Sequence, residues 1–127
     1  MTIVGLGIDA TDIPRLRETY QKYGERFLRR VFTDAEIAYC LKRRDPVPHL
    51  AGRFAAKEAG MKALGTGQSR GVLWRDLEVV RGADGPPHLR FHGAAARHSA
   101  TLGATRTLLT ITHSESLALA QVILIAD

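Results

Sequence analysis

Hydrophobic and polar positions along this chain follow two periods, one suited to strands and one to helices. Ile3-Val4-Gly5-Leu6-Gly7-Ile8 reads as a strand whose two glycines admit a close neighbour, and it delivers Asp9 to its end. Thr11 or Asp12 caps a helix from about Ile13 to Tyr23, with Pro14 in its first turn and Gly24 at its stop. A second helical piece carries Arg26, Arg29 and Arg30. Thr33-Asp34-Ala35-Glu36 is a capping box that opens a third helix toward Arg44, and Asp45-Pro46-Val47-Pro48 ends it. From His49 to Leu64 strong helix formers run up to Gly65-Thr66-Gly67, which closes the best-defined helix of the chain.

The remainder is rich in strands. Asp76 to Arg81 and Pro87 to Phe91 pair as a hairpin turning at Ala83-Asp84-Gly85, and a short helix spans about Ala94 to Leu102. Two β-rich runs, Thr107 to Thr112 and Leu117 to Ile125, are joined by His113-Ser114-Glu115-Ser116. One strand, several helices, then four strands with one helix among them predict an α+β fold: a mostly antiparallel sheet packed with a long central helix. A single domain over residues 1–127 is expected.

Composition changes this picture mainly by exclusion. With 45% hydrophobic and 24% charged residues the chain is globular in character, not disordered. No apolar run approaches the roughly 20 residues of a membrane span, and Met1 leads directly into a strand without a basic leader, so a cytoplasmic protein without membrane contact is expected. Cys40 is the only cysteine, which excludes an intrachain disulfide and a cysteine zinc cage. Eighteen Lys+Arg against thirteen Asp+Glu give a net charge of +5 and point to an anionic partner: nucleic acid, an acidic protein or a phosphorylated cofactor.

The candidate chemistry centres on two carboxylates in apolar or small-residue company. Asp9 follows Gly-Leu-Gly-Ile, and Glu58 lies within Phe54-Ala55-Ala56-Lys57-Glu58-Ala59-Gly60. Such a pair suits magnesium, which keeps several waters and completes its shell with phosphate oxygens; manganese accepts the same hard donors. The plainer reading makes Asp9 a helix cap and pairs Glu58 with Lys62 four residues on. Arg53 and Lys57 are one turn apart, as are Glu58 and Lys62, so two adjacent stripes are expected on one side of the helix, where the cations neutralise phosphates or simply meet solvent. Gly65-Thr66-Gly67 either turns backbone N–H groups toward an anion or only stops the helix. It is no P-loop, and Gly5-x-Gly7 is no dinucleotide fingerprint. His113, beside Ser114 and Ser116, is placed either to bind a phosphate or transfer a proton, or to act as an ordinary turn histidine.

Three segments in register carry a resemblance: Gly7-Ile8-Asp9-Ala10-Thr11-Asp12-Ile13-Pro14-Arg15, the run from Phe54 to Gly67, and Thr110-Ile111-Thr112-His113-Ser114. Together with Trp74-Arg75-Asp76-Leu77-Glu78-Val79 they closely resemble the holo-[acyl-carrier-protein] synthase family of phosphopantetheinyl transferases. The resemblance implies transfer of the 4′-phosphopantetheine arm of coenzyme A to a serine of an apo acyl carrier protein, releasing 3′,5′-ADP, in fatty acid biosynthesis or a related pathway. It implies Asp9 and Glu58 as magnesium ligands, catalytic together with Lys62. It places Arg53, Lys57, Lys62, Gly65, Thr66, His113 and Ser114 along the coenzyme A site, and Arg15, Arg17, Lys22 and Arg26 on the surface that docks the carrier protein. It also implies a homotrimer with active sites between subunits.

Glu58 is the first candidate for the base that takes the serine proton, with a water, Asp34 or Glu36 as the alternatives. Two other classes of function stand beside this one. A nucleic-acid module would use Arg26 to Arg30 and Lys42-Arg43-Arg44, but the aromatics are few and scattered where such modules interleave them with cations. An assembly subunit would keep the motifs without the chemistry.

Overall fold

The elements follow in the predicted order. The computed structural model describes residues 1–83 and 85–127; Asp84, at the turn expected at Ala83-Asp84-Gly85, lies outside the described residues. The elements are β1 (Thr2–Asp12), α1 (Ile13–Tyr23), α2 (Glu25–Val31), α3 (Asp34–Leu41), α4 (Pro46–Leu64), a 3-10 turn (Trp74–Asp76), β2 (Leu77–Val80), β3 (His88–Phe91), α5 (Gly93–Thr101), β4 (Arg106–His113) and β5 (Leu117–Ala126). All strand pairs are antiparallel, divided between a three-stranded sheet ordered β1-β5-β4 and a separate β2-β3 hairpin. This is the expected α+β architecture, with its strands split between two sheets.

Local chemistry explains the boundaries. Asp12 caps α1, its Oδ1 accepting from the Arg15 N–H at 2.9 Å. At α3 the capping box closes both ways: Thr33 N–H donates to Glu36 Oε1 at 2.8 Å and Glu36 N–H to Thr33 Oγ1 at 3.3 Å. Two expectations need correction. Asp45-Pro46-Val47-Pro48 does not end α3, which stops at Leu41, but opens α4. Asp45 accepts from the Val47 N–H, and Pro46 at the first helical position needs no donor of its own. β1 also runs past Ile8: it stays paired with β5 to the Asp12–Leu117 step, so Asp9 sits opposite Ala120 inside a ladder instead of at a strand end.

Helix α4 lies against the inner face of the three-stranded sheet, and β1 makes room for it. A β-carbon on Gly7 would run into the backbone carbonyl of Ala59, and one on Gly5 into that of Ala63. Gly60 similarly faces Leu77 and Leu89. Gly7→Ala therefore forces backbone apart from backbone. A loss of about 3 kcal/mol or more, and a melting temperature lower by about 10 °C or more, is expected in a thermal melt.

One hydrophobic core fills the space between α4, the sheets and α5, and a second lies among α1, α2, α3 and the start of α4. Trp74 packs against both. The outer face of the three-stranded sheet is left uncovered in the single chain. Leu6 is 60% exposed, Ile8 58% and Leu108 46%, and Gln121 stands at the middle of β5, paired with Ile8 on one side and Thr110 on the other.

Candidate active site

The backbone approach of β1 to α4 brings together residues some fifty positions apart. Lys62 Nζ donates to Asp9 Oδ1 at 2.8 Å and to the Ile8 carbonyl at 3.0 Å. The bond to Asp9, aided by the charges of Asp9 and Glu58, raises the Lys62 pKa above that of an ordinary lysine. Lys62 is thus a firm cation at neutral pH. Glu58 is half-buried, and its Oε1 accepts from the indole N–H of Trp74 at 3.2 Å.

Asp9 and Glu58 line one cleft of about 450 Å³, together with Arg15, Phe54 and Thr11. The Thr11 hydroxyl is buried with no hydrogen-bond partner. The helix cap is Asp12, which leaves Asp9 free of that duty. Among the described residues no group of three or more His, Cys, Asp or Glu side chains could hold a metal. Asp12 also lines the cleft but is engaged in the α1 cap, so a cation there would take Asp9 and Glu58 from the chain and its other ligands from water or substrate, the arrangement that suits magnesium.

The other half of the predicted stripe turns inward. Arg53 lies five residues before Glu58, roughly 140° away around the helix. Lys57 is fully buried, and its ammonium is used up by Glu36 Oε1 at 2.7 Å, the Trp74 carbonyl at 3.2 Å and the Leu77 carbonyl. The expectation that Lys57 lines a phosphate site is therefore corrected: it is a buried clamp joining α3, α4 and β2. The same geometry removes Glu36 as a base, since its carboxylate also accepts from the Thr33 and Val79 N–H groups. Asp34 is removed too, being on an exposed surface 3.5 Å from Arg75 and away from the cleft.

Arg53 is buried over the Tyr39 ring at 4.0 Å, with its Nε unpartnered among the described residues. It lines a second cleft of about 590 Å³ with Arg43, His49, Arg81 and His113. The His49 and His113 rings lie 6.2 Å apart, and Arg43 also stacks on Tyr39. Burial, followed by the nearby Arg43, Arg53 and His113 charges, lowers the His49 pKa, as an electropositive cavity would. Sequence reasoning left Arg43, His49 and Arg81 out of the site. They come from separate segments, and only the fold joins them to His113. In a single chain this cleft and that of Asp9 and Glu58 share no lining residue.

Gly65 and Thr66 also need correction as anion donors. The N–H of Gly65 bonds to the Lys62 carbonyl, and those of Thr66 and Gly67 to Met61, so all three groups terminate α4. Ser114 is exposed in the β4–β5 turn, its N–H bonded to the Leu117 carbonyl. On α1, Arg17 is partly exposed and makes a bidentate pair with Asp45 at 2.7 and 3.1 Å that ties α1 to the cap of α4. Arg15 borders the Asp9–Glu58 cleft, and Arg26 lines a neighbouring groove that shares Thr19, Phe27 and Phe54 with it. Lys22 is exposed, its ammonium 5.2 Å from the centre of the Tyr23 ring.

The profile of the 4′-phosphopantetheinyl transferase superfamily matches residues 5–122, and the chain belongs to that superfamily. A holo-[acyl-carrier-protein] synthase of Koribacter versatilis is 48% identical over 122 residues, covering 96% of this chain and 98% of its own. The crystal structure of the holo-[acyl-carrier-protein] synthase from Neisseria meningitidis superposes with a TM-score of 0.89 at 32% identity, covering 98% of this chain and 99% of that one. The Bacillus anthracis enzyme, solved in complex with CoA (3′,5′-ADP), superposes over the whole of both chains with a TM-score of 0.82 at 32% identity. Within the superfamily, then, this chain is an enzyme of the holo-[acyl-carrier-protein] synthase type.

Proposed function

We propose that the chain moves the 4′-phosphopantetheine arm of coenzyme A onto a serine of an apo acyl carrier protein, with magnesium or manganese as cofactor and 3′,5′-ADP as the leaving group. The observation that carries this reading is that Asp9 and Glu58 line one cleft while the Lys62 ammonium is bonded to Asp9. Two hard carboxylates with no third protein ligand among the described residues fit a cation that shares its shell with a pyrophosphate. Such an ion, when bound, supplies positive charge that polarises the phosphoryl group under attack.

The chain's own residues do the rest. Lys62, fixed between Asp9 and the Ile8 carbonyl, holds a full positive charge where charge develops on the phosphates. Glu58 takes the serine proton through a water. The unpartnered Nε of Arg53, with Arg43, Arg81, His49 and His113 around it, suits another anionic group of coenzyme A. Release of 3′,5′-ADP that requires both carrier protein and divalent metal tests the reaction; a folded chain that modifies no carrier protein overturns it.

The two clefts are separate in one chain, and a neighbouring copy is the source that joins them. The uncovered apolar face around Leu6, Ile8 and Leu108 supports a homotrimer built on the three-stranded sheets. Gln121→Arg, placing charge at the middle of that face, is expected to give monomers in sedimentation and to lose transfer with them; an active monomer would contradict the assembly.

Arg15 in the cleft and Arg26 in the neighbouring groove face the carrier protein, with Lys22 exposed on the same helix as Arg15. Nucleic acid is not a partner on this reading. Most of the aromatics that would stack on bases are engaged elsewhere: Tyr39 lies under two arginines, and Phe27, Phe32, Phe54 and Trp74 pack on one another, while Tyr23 stays exposed. No helix among the described residues is long and apolar enough to cross a membrane.

A further inference from the structure

We infer that Trp74 is a positioning residue for the transfer: its indole N–H fixes one oxygen of Glu58 and leaves the other for the metal. The inference rests on the reading of Glu58 as a metal ligand and goes beyond it. A glutamate on a helix turns freely about its side-chain bonds unless something holds it, and ligand carboxylates are held by hydrogen-bonding partners behind them. Among the described residues Glu58 has one such partner, the indole N–H at 3.2 Å.

The indole is partly buried and held by its neighbours. Its ring packs 6.1 Å from the Phe54 ring at an interplanar angle of 32°, and it bridges both hydrophobic cores. Its backbone belongs to the 3-10 turn closed by Asp76, whose Oδ2 accepts from the Leu73 N–H at 3.0 Å and whose own N–H donates to the Leu73 carbonyl at 3.0 Å.

Lys57 completes the support. Its ammonium donates to the Trp74 and Leu77 carbonyls at either end of the turn and is neutralised by Glu36. Glu36 is fixed in turn by the Thr33 and Val79 N–H groups, each at 2.8 Å. Lys57 and Glu58 are neighbours in sequence with opposite duties. One faces the core and anchors the turn that carries Trp74; the other faces the cleft and is held by Trp74.

Trp74 is the only tryptophan of the chain, so 15N-tryptophan labelling gives a single indole resonance to follow. Glu58→Gln, without metal or coenzyme A, should move that resonance because it replaces a charged acceptor by a neutral one. Trp74→Phe keeps an aromatic ring, though a smaller one, and removes the donor. It is expected to raise the half-saturating Mg²⁺ concentration about tenfold and to weaken Mn²⁺ binding, read by electron paramagnetic resonance, in the same proportion, while the fold stays intact. Unchanged metal dependence in a folded Trp74→Phe chain, a lower melting temperature with unchanged Mn²⁺ affinity, or an indole resonance indifferent to Glu58→Gln would each overturn the inference. The resonance is read without transfer, so a parent chain that bound Mn²⁺ but modified no carrier protein would contradict the proposed function and not this contact.

Discussion

Asp9→Ala is expected to slow phosphopantetheine transfer about a thousandfold, equivalent to ~4 kcal/mol of lost transition-state stabilisation. The substitution removes one of the two carboxylates assigned to the metal, leaving Glu58 and the helix-capping Asp12 in the cleft, and deprives Lys62 of the partner that fixes its ammonium. The fold should persist, because the backbone of Asp9 stays in the ladder opposite Ala120 and its side chain is partly solvated. Initial rates of carrier modification, set beside thermal melts, separate the two effects. A folded Asp9→Ala chain that kept more than about a tenth of the parent rate would place the metal elsewhere.

Lys57→Met has the largest expected effect on stability. It leaves the Glu36 carboxylate buried without its cation and the Trp74 and Leu77 carbonyls without their donor. Breaking one half of a buried ion pair costs about 3–5 kcal/mol, a large part of the total stability of a domain this size. Urea unfolding measures it. The double variant Lys57→Met, Glu36→Gln should recover part of the loss, since a glutamine oxygen still accepts an N–H without burying a charge. A single variant within about 1 kcal/mol of the parent would show that the clamp contributes little.

What could be read before the fold was known depended on distance along the chain. Caps and stops act within a few residues, so Asp12, the Thr33–Glu36 box and the end of α4 were legible. Asp45-Pro46 was ambiguous because the same dipeptide closes one helix or opens the next, and the choice was made by the side chain of Asp45. Asp9 and Glu58 stood out by breaking the pattern around them, carboxylates where small or apolar residues were expected. The faces of α4 were not legible. Spacing fixes the angle between Lys57 and Glu58 but not which of them meets the core, and that depended on Glu36, 21 positions away. The contact between Trp74 and Glu58 spans 16 positions, and the cleft of Arg43, His49, Arg81 and His113 gathers four segments that no local signal connects.

The central claim is tested most directly by incubating the purified chain with coenzyme A, Mg²⁺ and an apo acyl carrier protein and recording the intact mass of the carrier. The account predicts a gain of one phosphopantetheine arm, absent when a chelator is added and absent with Glu58→Ala. No gain with several different carrier proteins, or a gain that survives both chelator and Glu58→Ala, would contradict it.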